Sequence, residues 1–120
     1  MIAILPLAGE ELERFRREHP DAEDVLVMTD RGARLGAVGV RVSSSVLHIV
    51  LLEADGEEPE RRFLADSLLR AAASFAANRG AYRLSCTLPG WEDFLKSEGF
   101  RPEDGSFVLP TDRIVNFCKH

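Results

Sequence analysis

Few side chains in this sequence have both the type and the spacing for chemistry. The histidines, His19, His48 and His120, are far apart, and the two cysteines, Cys86 and Cys118, form neither a CxxC pair nor a metal-ligand spacing. That pattern predicts no metal centre and no thiol redox pair. Each cysteine lies in an apolar, strand-like stretch, where a thiol serves as a small buried hydrophobe. His48 interrupts an otherwise apolar run, Val-Leu-His-Ile-Val-Leu-Leu-Glu-Ala over residues 46–54. An imidazole titrating near neutrality can take a proton there, or act as a hydrogen-bonded structural residue. Downstream, Asp55, Glu57, Glu58 and Glu60 crowd against Arg61 and Arg62. Acids at the start of a helix complement its dipole and repel anions. The sole tyrosine, Tyr82, reads as half-buried packing at the start of a strand.

These residues need elements to position them. Residues 1–7 are β-compatible, with Pro6 suited to a strand end. Residues 10–19 read as a short helix with Leu12 and Phe15 on one face, stopped by Pro20. Residues 24–30 and 33–42 read as strands around an Asp30-Arg31-Gly32 turn, the second with glycines thinning one face. Ser43-Ser44-Ser45 turns the chain into 46–54, which reads as a central strand buried on both faces. The strongest helical pattern is 59–78, with Leu64, Leu68, Leu69, Ala72, Phe75 and Ala76 in one stripe, Pro59 at its start and Gly80 beyond its end. Residues 81–88 read as a strand, and 91–98 as a short helix with Trp91, Phe94 and Leu95 inward. Short strands at 107–109 and 114–118 complete the order β-α-β-β-β-α-β-α-β-β, an α/β (α+β) fold with a mixed sheet.

Length and composition narrow the function. A chain of 120 residues with 45% hydrophobic residues predicts one domain, 1–120, with a core that needs no disulfide or metal. A net charge of -5 disfavours nonspecific nucleic-acid binding. No run approaches the length of a membrane span, and residues 1–7 lack the basic flank and long apolar run of a secretory signal. The expectation is a cytoplasmic protein with reduced thiols and no membrane or nucleic-acid partner.

The element order and its joints resemble the GNAT (Gcn5-related N-acetyltransferase) fold. The resemblance runs from about Glu10 and is most specific between Val46 and Phe100. There the central strand, the helix with its paired Leu68-Leu69, the Asn78-Arg79-Gly80 helix end, the next strand and the closing Gly99-Phe100 follow one another at the family's spacing. The resemblance implies an acyl-CoA N-acyltransferase fold and acetyl-CoA as cofactor. Its pyrophosphate would lie on backbone N–H groups at the start of the long helix. The family's motif there is Arg or Gln, two residues, Gly, one residue, then Gly or Ala. It falls on 60–65: Ala65 keeps the last position, Glu60 stands at the first, and Phe63 replaces the glycine. Arg61 and Arg62 are the remaining phosphate ligands.

For catalysis, the resemblance points to Glu53 on the central strand as general base, with His48 as the alternative. Leu95 stands where many members carry a tyrosine that protonates the leaving thiolate. The family's two helices between the first and second strands appear as one. That implies an open acceptor site, or one completed by a second subunit in a homodimer. The implied function is N-acetyl transfer to an amine of a small molecule or protein. Glu60, Phe63 and Leu95 motivate the alternative: a GNAT-like partner-binding or regulatory module without CoA chemistry. A third expectation is a different ligand, apolar or cationic, in the cleft between the central strands, the acidic loop suiting a cation.

Overall fold

The computed structural model describes residues 2–111. Its elements are β1 (Ile2–Pro6), α1 (Gly9–Glu18), β2 (Asp24–Asp30), β3 (Ala33–Ser43), β4 (Val46–Ala54), α2 (Glu60–Asn78), β5 (Arg83–Cys86), α3 (Glu92–Ser97), β6 (Arg101–Glu103) and β7 (Ser106–Pro110). The seven strands form one sheet in the order β1-β2-β3-β4-β5-β7-β6. Every pairing is antiparallel except β4 with β5, which α2 joins by a crossover.

The order of elements agrees with the sequence reading up to α3, and the ending differs. The strand expected at 107–109 is β7, and the one expected at 114–118 lies outside the described residues. The extra strand is β6, folded onto β7 by an Asp104-Gly105 turn with φ of 51° and 84°. Asp-Gly is a strong two-residue hairpin signal, because both positions need positive φ. The strand expected at 81–88 is confined to Arg83–Cys86.

Two layers of side chains cover the sheet. On one face α2 buries Leu64, Ala65, Leu68, Leu69, Ala72, Ala73 and Ala76, a continuous stripe at helical spacing. They meet Val38, Val40, Leu47, Ile49 and Leu84 from the strands, together with Trp91, Phe94 and Leu95. On the other face α1 sets Phe15 against Ala22, Val25, Val27 and Ala37. This second layer is smaller, so β4 is fully covered only on its α2 face. There Leu47, Ile49 and Leu52 are buried, while Val50 and Leu51 towards α1 are partly exposed and Glu53 is exposed.

The two strand glycines each serve a different helix. A Cβ at Gly36 would lie 2.5 Å from the Glu53 carbonyl oxygen and 3.0 Å from Leu68 Cδ1. At Gly39 it would meet only side chains, Leu51 at 3.2 Å, Ala22 at 3.5 Å and Phe15 at 3.6 Å. A backbone carbonyl held in a sheet cannot swing aside, whereas side chains can give slightly. Gly36→Ala is therefore expected to lower unfolding free energy by about 1–3 kcal/mol, and Gly39→Ala by clearly less. Urea denaturation of both variants checks this, and equal losses would contradict it.

Candidate active site

β4 is the middle strand of the sheet, and its pairing with β5 stops at Ile49↔Cys86. Residues 50–54 of β4 continue past the end of β5, so among the described residues their β5-side edge has no strand partner. At the same point the register with β3 slips, from Gly39↔Leu51 to Val40↔Ile49, leaving Val50 as the extra residue of a bulge. Val50 and Leu51 consequently both lie on the α1 side. Strict alternation from Leu47 and Ile49 would turn Glu53 into the α2 core. The bulge reverses that phase: Leu52 is buried with the α2 layer and Glu53 stands on the opposite, exposed face. Alternation within 46–54 gave no sign of this slip, because its residues are apolar on both sides of it.

Glu53 Oε1 lies 3.8 Å from Arg34 Nη2, both side chains being half exposed. Arg34 also lines a groove of about 490 Å³ along α1, with Glu10, Glu11, Glu18, Arg14 and Phe15 among its walls. The surface around Glu53 on the α1 side is thus open and carries charges of both signs.

His48 is on the same strand but elsewhere. It pairs in register with Arg41 of β3 and Ser85 of β5, where all three strands are still joined. Burial, and secondarily the Arg41 charge, holds its imidazole below the usual pKa, so it is neutral at pH 7. Five strand steps put His48 and Glu53 roughly 16 Å apart along β4. The two candidate bases therefore do not share a site.

Cys86 ends β5 beside the fork where β4 and β5 part, but its side chain faces the core, and burial raises its thiol pKa despite an opposing backbone hydrogen bond at Leu88. A protonated buried thiol is a poor nucleophile. Tyr82 corrects the expectation of half-buried packing: it is 73% exposed. It sits at the far end of β5, where its N–H donates to the Ser45 carbonyl at 2.8 Å, remote from the fork. Leu95 is fully buried and offers no proton.

The start of α2 is filled from within the chain. Pro59 takes the N-cap position with no side-chain cap. The Arg61 N–H donates to the Glu57 carbonyl at 3.0 Å, and the Phe63 N–H to the Pro59 carbonyl at 3.2 Å. The second is the ordinary first bond of the helix, so one amide that an anion would need, that of Arg61, is engaged. Glu60 folds back over Gly56, its Oε2 3.6 Å from where a Cβ on that glycine would be, so a carboxylate already occupies the turn. Arg61 lies over the Trp91 ring at 4.0 Å and pairs with Glu58 at 3.9 Å. Arg62 Nη2 donates to Ser97 Oγ at 2.8 Å, with the guanidinium 5.8 Å from the Phe94 ring. Both arginines are drawn onto α3 and its N-cap. Ala65 is fully buried, its methyl in the core, and Phe63 is 60% exposed. These residues do not fit a diphosphate.

Beside Arg62, α2 and α3 share a carboxyl pair that the sequence did not reveal. Asp66 and Glu98 are hydrogen-bonded, and Arg70 Nε donates to Asp66 Oδ2 at 2.9 Å. Burial, with the Asp66 contact and charge, pushes Glu98 up to about 7 against the opposing charges of Arg70 and Arg62. Asp66 is held below the usual range by its hydrogen bonds to Glu98 and Arg70 and by the Arg70 charge, which together outweigh its burial. The Asp66–Arg70 spacing of four is legible in a helix, but a partner on another element is not. Among the described residues no group of three or more side chains is arranged to hold a metal, and no helix is long and apolar enough to cross a membrane.

No protein-family model matches the chain, and no curated protein matches it in sequence. Solved structures do match. A protein assigned to the GNAT family of acetyltransferases, from Desulfovibrio desulfuricans, superposes with a TM-score of 0.73 at 11% identity, covering 92% of this chain and 99% of that one. The ribosomal-protein-S18-alanine N-acetyltransferase of Escherichia coli does so at 0.66 and 15%, covering 92% and 94%. N-acetylglutamate synthase of Neisseria gonorrhoeae, solved with coenzyme A and L-arginine, matches at 0.68 and 13%, covering 91% of this chain and 32% of that one. The chain therefore has the GNAT fold.

Proposed function

We propose that this GNAT-fold chain transfers an acyl group from a thioester to an amine, with Glu53 as the general base. One observation carries the reading: β4 loses its β5 partner at the bulge, and the same bulge turns Glu53 outward beside that open edge. An extended thioester can lie along the free edge of β4, whose backbone N–H groups would polarise its carbonyl. The amine nitrogen attacks the carbonyl carbon and Glu53 takes its proton. The carbon–sulfur bond then breaks, and the thiolate collects a proton from water, since Leu95 has none to give. The groove along α1 adjoins Glu53 through Arg34 and is the place for the acceptor.

The start of α2 favours a second reading, a GNAT-fold module that has lost CoA chemistry. Its turn holds Glu60, its amides are partly engaged and its arginines are held by α3. Isothermal titration with acetyl-CoA separates the two. Binding in the micromolar to millimolar range, with free thiol released when primary amines are added, supports the transferase. Absence of heat and of any thermal shift at millimolar acetyl-CoA would end it. Phe63→Gly combined with Glu60→Gln is the paired test. Because Phe63 is exposed, the double variant is expected to cost only about 1 kcal/mol, the helical penalty of glycine. If acetyl-CoA is the donor, it should bind several-fold tighter.

A further inference from the structure

A thioester brought to Glu53 asks two things of the chain: a surface for its arm, and a surface for whatever carries the arm. The first is present. Among the described residues, 50–54 of β4 run free of β5, about 16 Å of strand edge. An unpaired edge binds extended, amide-bearing chains through main-chain hydrogen bonds.

The second surface is the head of α2, since a helix start is an ordinary place for phosphate. Here the chain's own side chains occupy it. The Glu60 carboxyl stands over Gly56, with Oε2 3.6 Å from where a Cβ would lie, and the Arg61 N–H is bonded to the Glu57 carbonyl. Arg61 is held between the Trp91 ring at 4.0 Å and Glu58 at 3.9 Å, and Arg62 donates to Ser97 at 2.8 Å. Asp55, Glu57, Glu58 and Glu60 set four carboxylates against those two guanidiniums. Phe63, in the first turn and exposed, adds bulk where a close approach would need none. A diphosphate would have to displace a carboxylate, an ion pair, a cation–π contact and a hydrogen bond, against net repulsion.

We propose that the chain recognises its acyl donor by the amide-bearing arm alone. The ligand class is a pantetheine-type thioester, an extended chain with two amides ending at sulfur, and any nucleotide diphosphate attached to it stays in solvent. The inference rests on the acyl-transfer reading and narrows the donor within it. A neutral pantetheine is then as good a ligand as CoA, and the charge of the nucleotide half counts slightly against CoA.

Isothermal titration of the whole chain tests this without turnover. The ligands are pantetheine, 4′-phosphopantetheine, CoA, and the nucleotide half alone as adenosine 3′,5′-bisphosphate. Dissociation constants of the first three are expected to agree within about threefold. The bisphosphate should give no heat at millimolar concentration. Raising salt from about 50 to about 300 mM should leave pantetheine unchanged and tighten CoA, the reverse of a site that holds phosphate by arginine. In Phe63→Gly with Glu60→Gln, CoA should gain several-fold and pantetheine nothing. CoA binding about tenfold tighter than pantetheine, heat from the bisphosphate, or an equal gain for both ligands in the double variant would overturn the proposal and leave acyl transfer standing. Failure of both pantetheine and CoA to bind at millimolar concentration would overturn it together with the acyl-transfer reading.

Discussion

Leu68→Ala is expected to lower the free energy of unfolding by about 2–5 kcal/mol, with little change in denaturant dependence. Leu68 is fully buried in the middle of α2. Its Cδ1 comes within 3.0 Å of where a side chain on Gly36 would begin, so the leucine fills the space the glycine leaves open. Truncation removes the methyls from a contact between a helix and a strand paired on both sides, and neither can collapse into the gap. Because Gly36 and Ala37 pair with Ala54 and Glu53, the defect lies directly beneath the proposed base. Urea denaturation measures the loss. A loss below about 1 kcal/mol would mean that α2 resettles freely, which the close packing excludes. Adding Gly36→Ala to Leu68→Ala should cost less than the sum of the two, since one of the two clashes has gone, but not zero, since the Glu53 carbonyl remains.

Glu53→Gln should slow acyl transfer by about 10²–10⁴-fold, the usual contribution of a positioned general base. The assay is release of free thiol from acetyl-CoA with a panel of primary amines. The fold should survive, because the Glu53–Arg34 pair is exposed and such pairs contribute at most about 1 kcal/mol. Loss of rate without loss of stability is the signature of a base rather than of a structural charge. Retention of the full rate in Glu53→Gln, with its loss in His48→Gln, would move the base to the other half of β4. Retention in both would remove the base from the strand altogether.

Local pattern was enough to locate most of the fold. The stripe from Leu64 to Ala76, the Gly80 stop and the serine turn each act through neighbours in sequence, and each is where the pattern puts it. Ser44 and Ser45, with φ of 53° and 63°, form the tight β3–β4 connection. β6 was missed because three exposed residues have no periodicity to read, although Asp104-Gly105 announced its turn. The glycines at 36 and 39, expected from the pattern to thin one face of β3, each open a different face to a different helix. The site was harder to see. Glu53 and His48 both stood out on β4, but their distance apart and their exposure depend on a one-residue bulge set by cross-strand register. Arg61 and Arg62 were placed correctly at the head of α2, while their engagement with Trp91 and Ser97 depends on tertiary docking. The Asp66–Glu98 contact joins two helices and left no sequence signal at all.

The two ends of the sheet differ in a way that bears on how copies of the chain could associate. β6 closes one end with Arg101, Pro102 and Glu103, all exposed: three residues, a missing donor in the middle and a charge on either side. Such an edge resists accepting another strand. At the other end β1 has five residues, with Ile2 and Leu5 exposed and proline only at its last position. Among the described residues the sheet therefore has one edge that can be extended and one that is blocked. Among the described edges, a strand added to this sheet would therefore be taken up at β1 rather than at β6.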